Sequence, residues 1–166
     1  MKKLFILLGL IVISCNTENN KEKIILTSGI SMNPDQPRFG IEINNEDTLY
    51  YCEEVITNKG HYKFYKSKIS SETFLSLRKE IQNNFKSKFN EEEIVDATPY
   101  ELDIKFDNNN AVFSFYLDNL DDAQVQIINK IIKSKDLTLE EIKHHNFPKR
   151  LLTEKLPSPP PPPIKK

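Results

Sequence analysis

The chain has 166 residues, with 23 basic and 24 acidic side chains and a formal net charge of −1. A chain of this length holds one ordinary domain with some residues left for tails. Because the charge is slightly acidic and no basic stripe is present, nucleic acid is excluded as the expected partner. Docking on anionic lipid through charge alone is excluded for the same reason.

The N-terminal residues have the organisation of an export signal. Lys2 and Lys3 make a positive start, and an unbroken apolar run follows over residues 4–13. The run is too short to span a bilayer as a helix, which takes about 20 residues, so it is typical of a signal peptide that is removed. The run ends in Val12-Ile13-Ser14-Cys15, which places branched apolar residues and a small residue before a cysteine.

This ending resembles the lipobox of bacterial lipoproteins, although Val12 stands where leucine is commonest. The resemblance implies that the Cys15 thiol receives a diacylglyceryl group, that cleavage follows Ser14, and that the freed Cys15 amine is usually acylated. An ordinary signal peptide with a chance cysteine, or an uncleaved anchor, is the alternative. Two or more acyl chains anchor a protein stably. The expected location is therefore the bacterial cell envelope, at the outer membrane, on its periplasmic side or at the cell surface.

Removal of residues 1–14 leaves 152 residues, with 21 basic against 24 acidic side chains. Residues 15–23 are polar and lack any period, so they predict a tether. Cys52 then has no cysteine partner within the chain. An odd thiol in an exported protein can pair with another chain or be reactive, but the aromatic and β-branched pattern around Cys52 favours a buried side chain.

Residues 24–30 predict a first strand, and residues 39–67 predict an antiparallel meander of three strands. Phe39, Ile41 and Ile43 alternate with polar residues, which is the period of a half-buried strand. A loop with two prolines precedes them at 31–37, and Gly60 supplies a later turn because it tolerates positive φ. The predicted strands are 24–30, 39–43, 48–56 and 62–67.

The hydrophobic period changes to that of a helix at Ser70. Phe74, Leu77, Ile81 and Phe85 are spaced three and four residues apart, which predicts a helix over 71–85 capped by Ser70 or Ser71. The acidic residues 89–96 predict a loop.

The cleanest strand alternation begins at Tyr100 and predicts a hairpin of strands 100–106 and 111–117, joined by a turn at 107–110. A second helix is predicted over 121–135, with Val125, Ile128, Ile131 and Ile132 as its buried stripe. Thr138 and Glu141 have the spacing of a capping box, which predicts a short third helix ending near His145.

Together these elements predict an α+β fold. It has an antiparallel sheet of five to six strands, formed by the meander plus the hairpin, with two main helices packed on one face and a short C-terminal helix. The domain is assigned to residues 24–147. The chain thus resembles the small bacterial lipoproteins that carry one such domain.

Residues 148–166 are assigned to a proline-rich C-terminal tail. Five consecutive prolines at 159–163 have no amide donors and a fixed φ, which favours polyproline II. At about 3.1 Å per residue the segment from Pro157 reaches roughly 30 Å when extended. The tail is predicted to be a spacer or a ligand, not part of the core.

No metal site and no cofactor are predicted. His144 and His145 are adjacent, and adjacent helical residues point about 100° apart, so they do not easily share a metal. A histidine pair in the last helical turn is explained by the helix dipole. The acidic residues at 118–122 and the turn from Asp107 lack the ligand spacing of a calcium loop.

No catalytic residue is predicted either. Glu101 and Asp103 lie two apart on one strand, which would allow paired-carboxylate chemistry in principle. No companion pattern marks a cleft around them, so a solvated face is the simpler interpretation. The chain has only four glycines, which leaves little material for loops that cradle phosphates.

Four tyrosines, Tyr50, Tyr51, Tyr62 and Tyr65, fall on two neighbouring predicted strands. If helices cover one face of the sheet only, about half of these rings would lie on the open face, where an exposed aromatic patch suits recognition. The alternative is that they cover the second face as satisfied, amphipathic side chains.

The leading hypothesis is a non-enzymatic, lipid-anchored envelope protein that binds a protein or peptide through its sheet face or edge, with the proline tail as spacer. The alternative is an immunity or inhibitor lipoprotein that neutralises a toxin or hydrolase directed at the envelope. An enzyme using scattered carboxylates is a third possibility. The expected partners are the membrane, through lipid on Cys15, and an envelope protein or peptide.

Overall fold

The computed structural model describes residues 21–86, 97–107 and 109–154. Several predictions lie outside these ranges: the signal peptide, Cys15 and most of the tether, the loop at 89–96, and the proline-rich segment from residue 155 onward. None of the helices in the described ranges has the length and apolarity needed to cross a bilayer.

The strands in the described ranges are β1 (Lys23–Ser28), β2 (Phe39–Asn44), β3 (Thr48–Glu54), β4 (Tyr62–Lys68), β5 (Tyr100–Phe106), β6 (Asn109–Phe115) and β7 (Glu140–Ile142). These seven strands form one antiparallel sheet with the order β6-β5-β1-β2-β3-β4-β7. Strand β1 lies inside the sheet and pairs with β2 on one side and β5 on the other. The meander and the hairpin are therefore confirmed, and β1 joins them.

The two main helices are confirmed as α1 (Ser71–Asn84) and α2 (Asp122–Lys133). Each begins where its cap predicts. The Ser70 side chain accepts a hydrogen bond from the Thr73 amide, and Asp121 forms a reciprocal capping box with Gln124, which satisfies amides that have no partner within the helix. Both helices pack on one face of the sheet and enclose the main hydrophobic core.

The prediction of a helix ending near His145 is wrong, and with it the count of five to six strands. Glu140–Ile142 forms the seventh strand and pairs with β4. A capping box over so short a segment contributes little against the cost of nucleating a helix. The exposed edge of β4 offers backbone partners instead. The short C-terminal helix occurs further along the chain as α3 (Lys149–Leu152).

The second face of the sheet is covered by residues 143–154, here called the C-terminal arm. Phe147 and Leu152 of the arm form a smaller core with Ile25 and Cys52. Gly40 allows this close approach, because a Cβ atom there would lie 2.8 Å from Cδ1 of Phe147. The packed part of the chain therefore continues beyond residue 147, the predicted end of the domain, at least to Leu152.

Substitution of the arm's aromatic residue tests this packing. We expect Phe147→Ala to lower the free energy of unfolding by about 3 kcal/mol and to expose Cys52. In the native chain Cys52 is fully buried, and burial raises the pKa of its thiol to about 12, so the thiol should resist alkylation. Iodoacetamide labelling of Cys52, located by peptide mass spectrometry, should be much faster in the variant.

Leu75→Ala is the matched control, because Leu75 lies on α1 and is 56% exposed. It should leave both the labelling rate and the urea midpoint close to those of the native chain. Equal Cys52 labelling in the native chain and in Phe147→Ala would contradict the role assigned to the arm.

Candidate functional site

The four tyrosines are divided between the two faces of the sheet, with two on each face. Tyr51 and Tyr65 lie on the face toward the helices, where their rings stack with centroids 5.8 Å apart. Tyr51 is 4% exposed, and burial raises the pKa of its phenol. Tyr50 and Tyr62 lie on the second face, beneath the C-terminal arm.

The arm makes specific contacts with this second pair of tyrosines. The ring of Tyr50 stacks on His145, with centroids 3.7 Å apart and an interplanar angle of 4°. The hydroxyl of Tyr62 donates a hydrogen bond of 2.6 Å to the carbonyl oxygen of Leu152. Both rings therefore serve as platforms for the chain's own C-terminal residues.

The two histidines have separate partners. His144 packs its ring edgewise on Phe64, whereas Nε2 of His145 lies 3.3 Å from Oε2 of Glu42. Within the described ranges, no group of three or more histidine, cysteine, aspartate or glutamate side chains could hold a metal ion.

Glu42 is a buried carboxylate that lies beside Lys23 and His145. Burial alone raises its pKa, but His145 and Lys23 outweigh that effect and the pKa lies below its ordinary value. Nζ of Lys23 is 3.5 Å from the same carboxylate oxygen. Glu42 therefore lies at the contact between the sheet and the arm.

Glu101 is also buried and anchors the other part of the arm. Its Oε2 lies 2.8 Å from Nε of Arg150, and Nη2 of Arg150 donates to Oγ of Ser114 at 2.9 Å. Burial raises the pKa of Glu101, and the Arg150 charge offsets that only in part. Asp103 is half-buried on the same face. Glu101 is therefore not the solvated carboxylate that its sequence pattern favours.

A pocket lies at the end of the sheet where β1 ends and β2 begins, and the sequence pattern did not indicate it. Its volume is about 670 Å³. The walls come from the loop at 30–36, the turn between β3 and β4, and the last residues of the arm. The side chains of Ile30, Met32, Pro34 and Leu152 make these walls largely apolar.

The polar part of the pocket is an ion pair between Arg38 and Glu54, both buried. The guanidinium donates through Nε to Oε2 of Glu54 at 3.1 Å and through Nη2 to Oε1. The Gly60 amide donates to the same Oε1 at 2.7 Å. Nη1 of Arg38 donates to the carbonyl oxygen of Glu154 at 2.9 Å.

The charge of the pocket is compensated internally. Burial on its own raises the pKa of Glu54, but the bonds from Arg38 and Gly60 outweigh it, so the pKa lies below its ordinary value. Lys59 at the rim lies 3.9 Å from the Glu54 carboxylate and donates to the carbonyl oxygen of Pro34 at 3.3 Å. Apolar walls with a few fixed polar groups are typical of a site for an uncharged, largely apolar ligand.

No model of a known protein family matches the chain, and no curated protein is significantly similar to it. The interpretation of the pocket therefore depends on its own geometry and chemistry.

Replacement of the pocket carboxylate tests the ion pair. We expect Glu54→Gln to lower the free energy of unfolding by about 3 kcal/mol near neutral pH, because Arg38 is left buried without its counter-charge. The folded pKa of Glu54 lies below the ordinary value of 4.5. The stabilisation is therefore complete above about pH 4.5 and is lost as the pH falls through the folded pKa.

The difference between the native chain and Glu54→Gln, measured by urea unfolding from pH 7 to pH 3, should accordingly shrink in acid. Glu141→Gln, at an exposed position of β7, is the control and should change stability little at any pH. A difference for Glu54→Gln that stays constant over this range would contradict the assignment of a charged Glu54.

Proposed function

We propose that the protein is a non-enzymatic, lipid-anchored component of the bacterial cell envelope that binds a short apolar segment of a peptide or protein. The binding site is the pocket formed by the loop at 30–36, the β3–β4 turn and the end of the C-terminal arm. The observation that carries the proposal is the apolar wall of this pocket above an ion pair that is already satisfied. A pocket of about 670 Å³ is within the usual size range of ligand sites.

The wall chemistry supports a peptide side chain as the bound group. Met32 is 65% exposed, and its unbranched, polarisable side chain adapts to different apolar surfaces. The carboxylates buried on the second face, Glu42 and Glu101, are in contact with His145 and Arg150 of the arm. These contacts support a binding role over an acid–base role for this protein.

The position of the proposed anchor supports the same site. Lys21, the first described residue, precedes the start of β1, whereas Ile30 of the pocket follows its end. A strand rises about 3.4 Å per residue, so the two ends of β1 are about 17 Å apart. Residues 15–22 can add a reach of at most about 28 Å. A domain anchored through Cys15 would thus present the pocket at the end remote from the attachment point.

The lipid anchor is tested at Cys15. We expect Cys15→Ser to abolish processing after Ser14 and to remove the acyl groups, because the thiol is the acceptor in a lipobox. Intact-mass analysis of the native chain should show a lipidated product that begins at Cys15, and the protein should partition into the detergent phase of Triton X-114. Cys52→Ser is the matched control and should behave as the native chain does. An unmodified Cys15 in the native chain would contradict the anchor.

The pocket is tested by a charge placed in its wall. We expect Met32→Glu to reduce the recovery of bound envelope polypeptides at least about tenfold, since burying an unpaired carboxylate against a bound apolar segment costs more than 1.4 kcal/mol. The measurement is affinity capture from solubilised envelopes with quantitative mass spectrometry.

Leu75→Glu introduces the same charge at an exposed apolar residue of α1 and should leave recovery unchanged. Thermal melting should show that both variants remain folded. Recovery of the same polypeptides with Met32→Glu and with the native chain would show that the pocket is not the binding site.

A further inference from the structure

The chain leaves the described domain at the pocket itself. Glu154, the last described residue, lines the pocket, and its carbonyl oxygen is held 2.9 Å from Nη1 of Arg38. The carbonyl oxygen of Leu152 is fixed by Tyr62 at 2.6 Å. These bonds fix the position from which residues 155–166 start, and the start is inside the candidate site.

The chemistry of the residues that follow is complementary to the pocket walls. The sequence continues with Lys155, Leu156, Pro157 and Ser158, and then with five prolines at 159–163. A buried amide donor without a partner costs free energy, and proline has no such donor. The prolines can therefore lie against Ile30, Met32 and Pro34 without leaving an amide unsatisfied, whereas Lys155, Leu156 and Ser158 keep their amide donors. Consecutive prolines favour polyproline II, and docking a segment with that preference loses less entropy.

The geometry of the attachment favours this segment over an external one. At about 3.1 Å per residue, the chain from Glu154 to Pro157 spans at most about 10 Å, so Leu156 and Pro157 can reach the walls without a spanning linker. A ligand attached by a short linker has an effective concentration in the millimolar range. Met32 is also the most exposed of the large hydrophobic side chains described, and a docked segment would cover it.

We propose that the pocket is occupied in cis by the chain's own segment 155–163, with Leu156 and the first prolines against Met32 and its neighbours. The proposal rests on the proposed function, because it concerns the same site, and it adds a regulatory element. An external apolar peptide must displace the tail before it binds. The tail therefore sets the minimum affinity that an external peptide needs in order to bind in the pocket.

The test uses the ε-methyl signal of Met32 in ¹³C-methionine NMR. The chain contains only two methionines, Met1 and Met32, and Met32→Leu identifies the second signal. The full chain is compared with a chain ending at Glu154, a truncation that removes no described residue. We expect the Met32 signal to differ between the two chains, and a peptide of residues 155–166 added to the truncated chain to return it toward the full-chain position.

Two controls define the outcome. A peptide in which Leu156 and the prolines are replaced by serine should leave the truncated chain's signal unchanged. The full-chain signal should be independent of protein concentration, because the tail binds within its own molecule. An identical Met32 signal in the full and truncated chains would overturn the proposal. A full-chain signal that moves to the truncated position on dilution would overturn it in favour of a second copy's tail.

The two proposals fail separately. The Met32 signal could be the same with and without the tail, while Met32→Glu still reduces the capture of envelope polypeptides. In that case the self-docking proposal is wrong and the proposed function stands. If the signal responds to the tail but the truncated chain captures nothing in a Met32-dependent manner, the external ligand is wrong and the self-docked tail stands.

Discussion

The ion pair of Arg38 and Glu54 holds together parts of the chain that are far apart in sequence. Arg38 directly precedes β2, and Glu54 is the last residue of β3. The third nitrogen of the guanidinium, Nη1, donates to carbonyl oxygens at the end of the arm, more than 110 residues away. Lysine could not replace arginine here, because only a planar fork binds a carboxylate through two nitrogens and still directs a third toward a carbonyl group. The pair is thus both the polar part of the pocket and the attachment of the arm.

The arm covers the face of the sheet that the two helices leave open. Two helices cover one face, and the second face carries apolar side chains that would otherwise remain in water. An irregular segment covers them by placing Phe147 over Gly40, and two buried carboxylates, Glu42 and Glu101, fix its position. Burying such pairs contributes little net stability. We infer that their effect is to select one placement of the arm.

The sequence predicted well those elements whose pattern is local. Strand and helix periods located β2, β5, α1 and α2 closely, because each of these segments faces the core with one regular stripe. The separation of the tyrosines was also available from the sequence: adjacent residues such as Tyr50 and Tyr51 must point to opposite faces of a strand. Strand β7 was missed because its three residues form a strand only by pairing with the edge of β4, and their own sequence pattern does not indicate that pairing.

The pocket could not be predicted for a different reason. Its walls come from a loop, a turn and the end of the arm, and no spacing within any one of these indicates the others. Met32 between turn formers was the sole local signal, and an exposed methionine in a loop is by itself uninformative. Arg38 and the arm are far apart in the sequence, and no local pattern indicates that they are in contact.

The position of β1 inside the sheet determines how the domain would bear a load applied at the N-terminal end of that strand. The N-terminal segment enters at β1, which has hydrogen-bonded neighbours on both sides, so a load applied through an anchor there is borne by two ladders at once. Local opening begins at the strands with the fewest neighbours, which here are the edge strands β6 and β7. Their fraying would leave the pairing of β1 with β2 and β5 intact. The pocket lies at the other end of the same strand, and the end of the arm forms part of its wall. The contacts around the pocket can therefore be exchanged or lost while β1 stays paired on both sides.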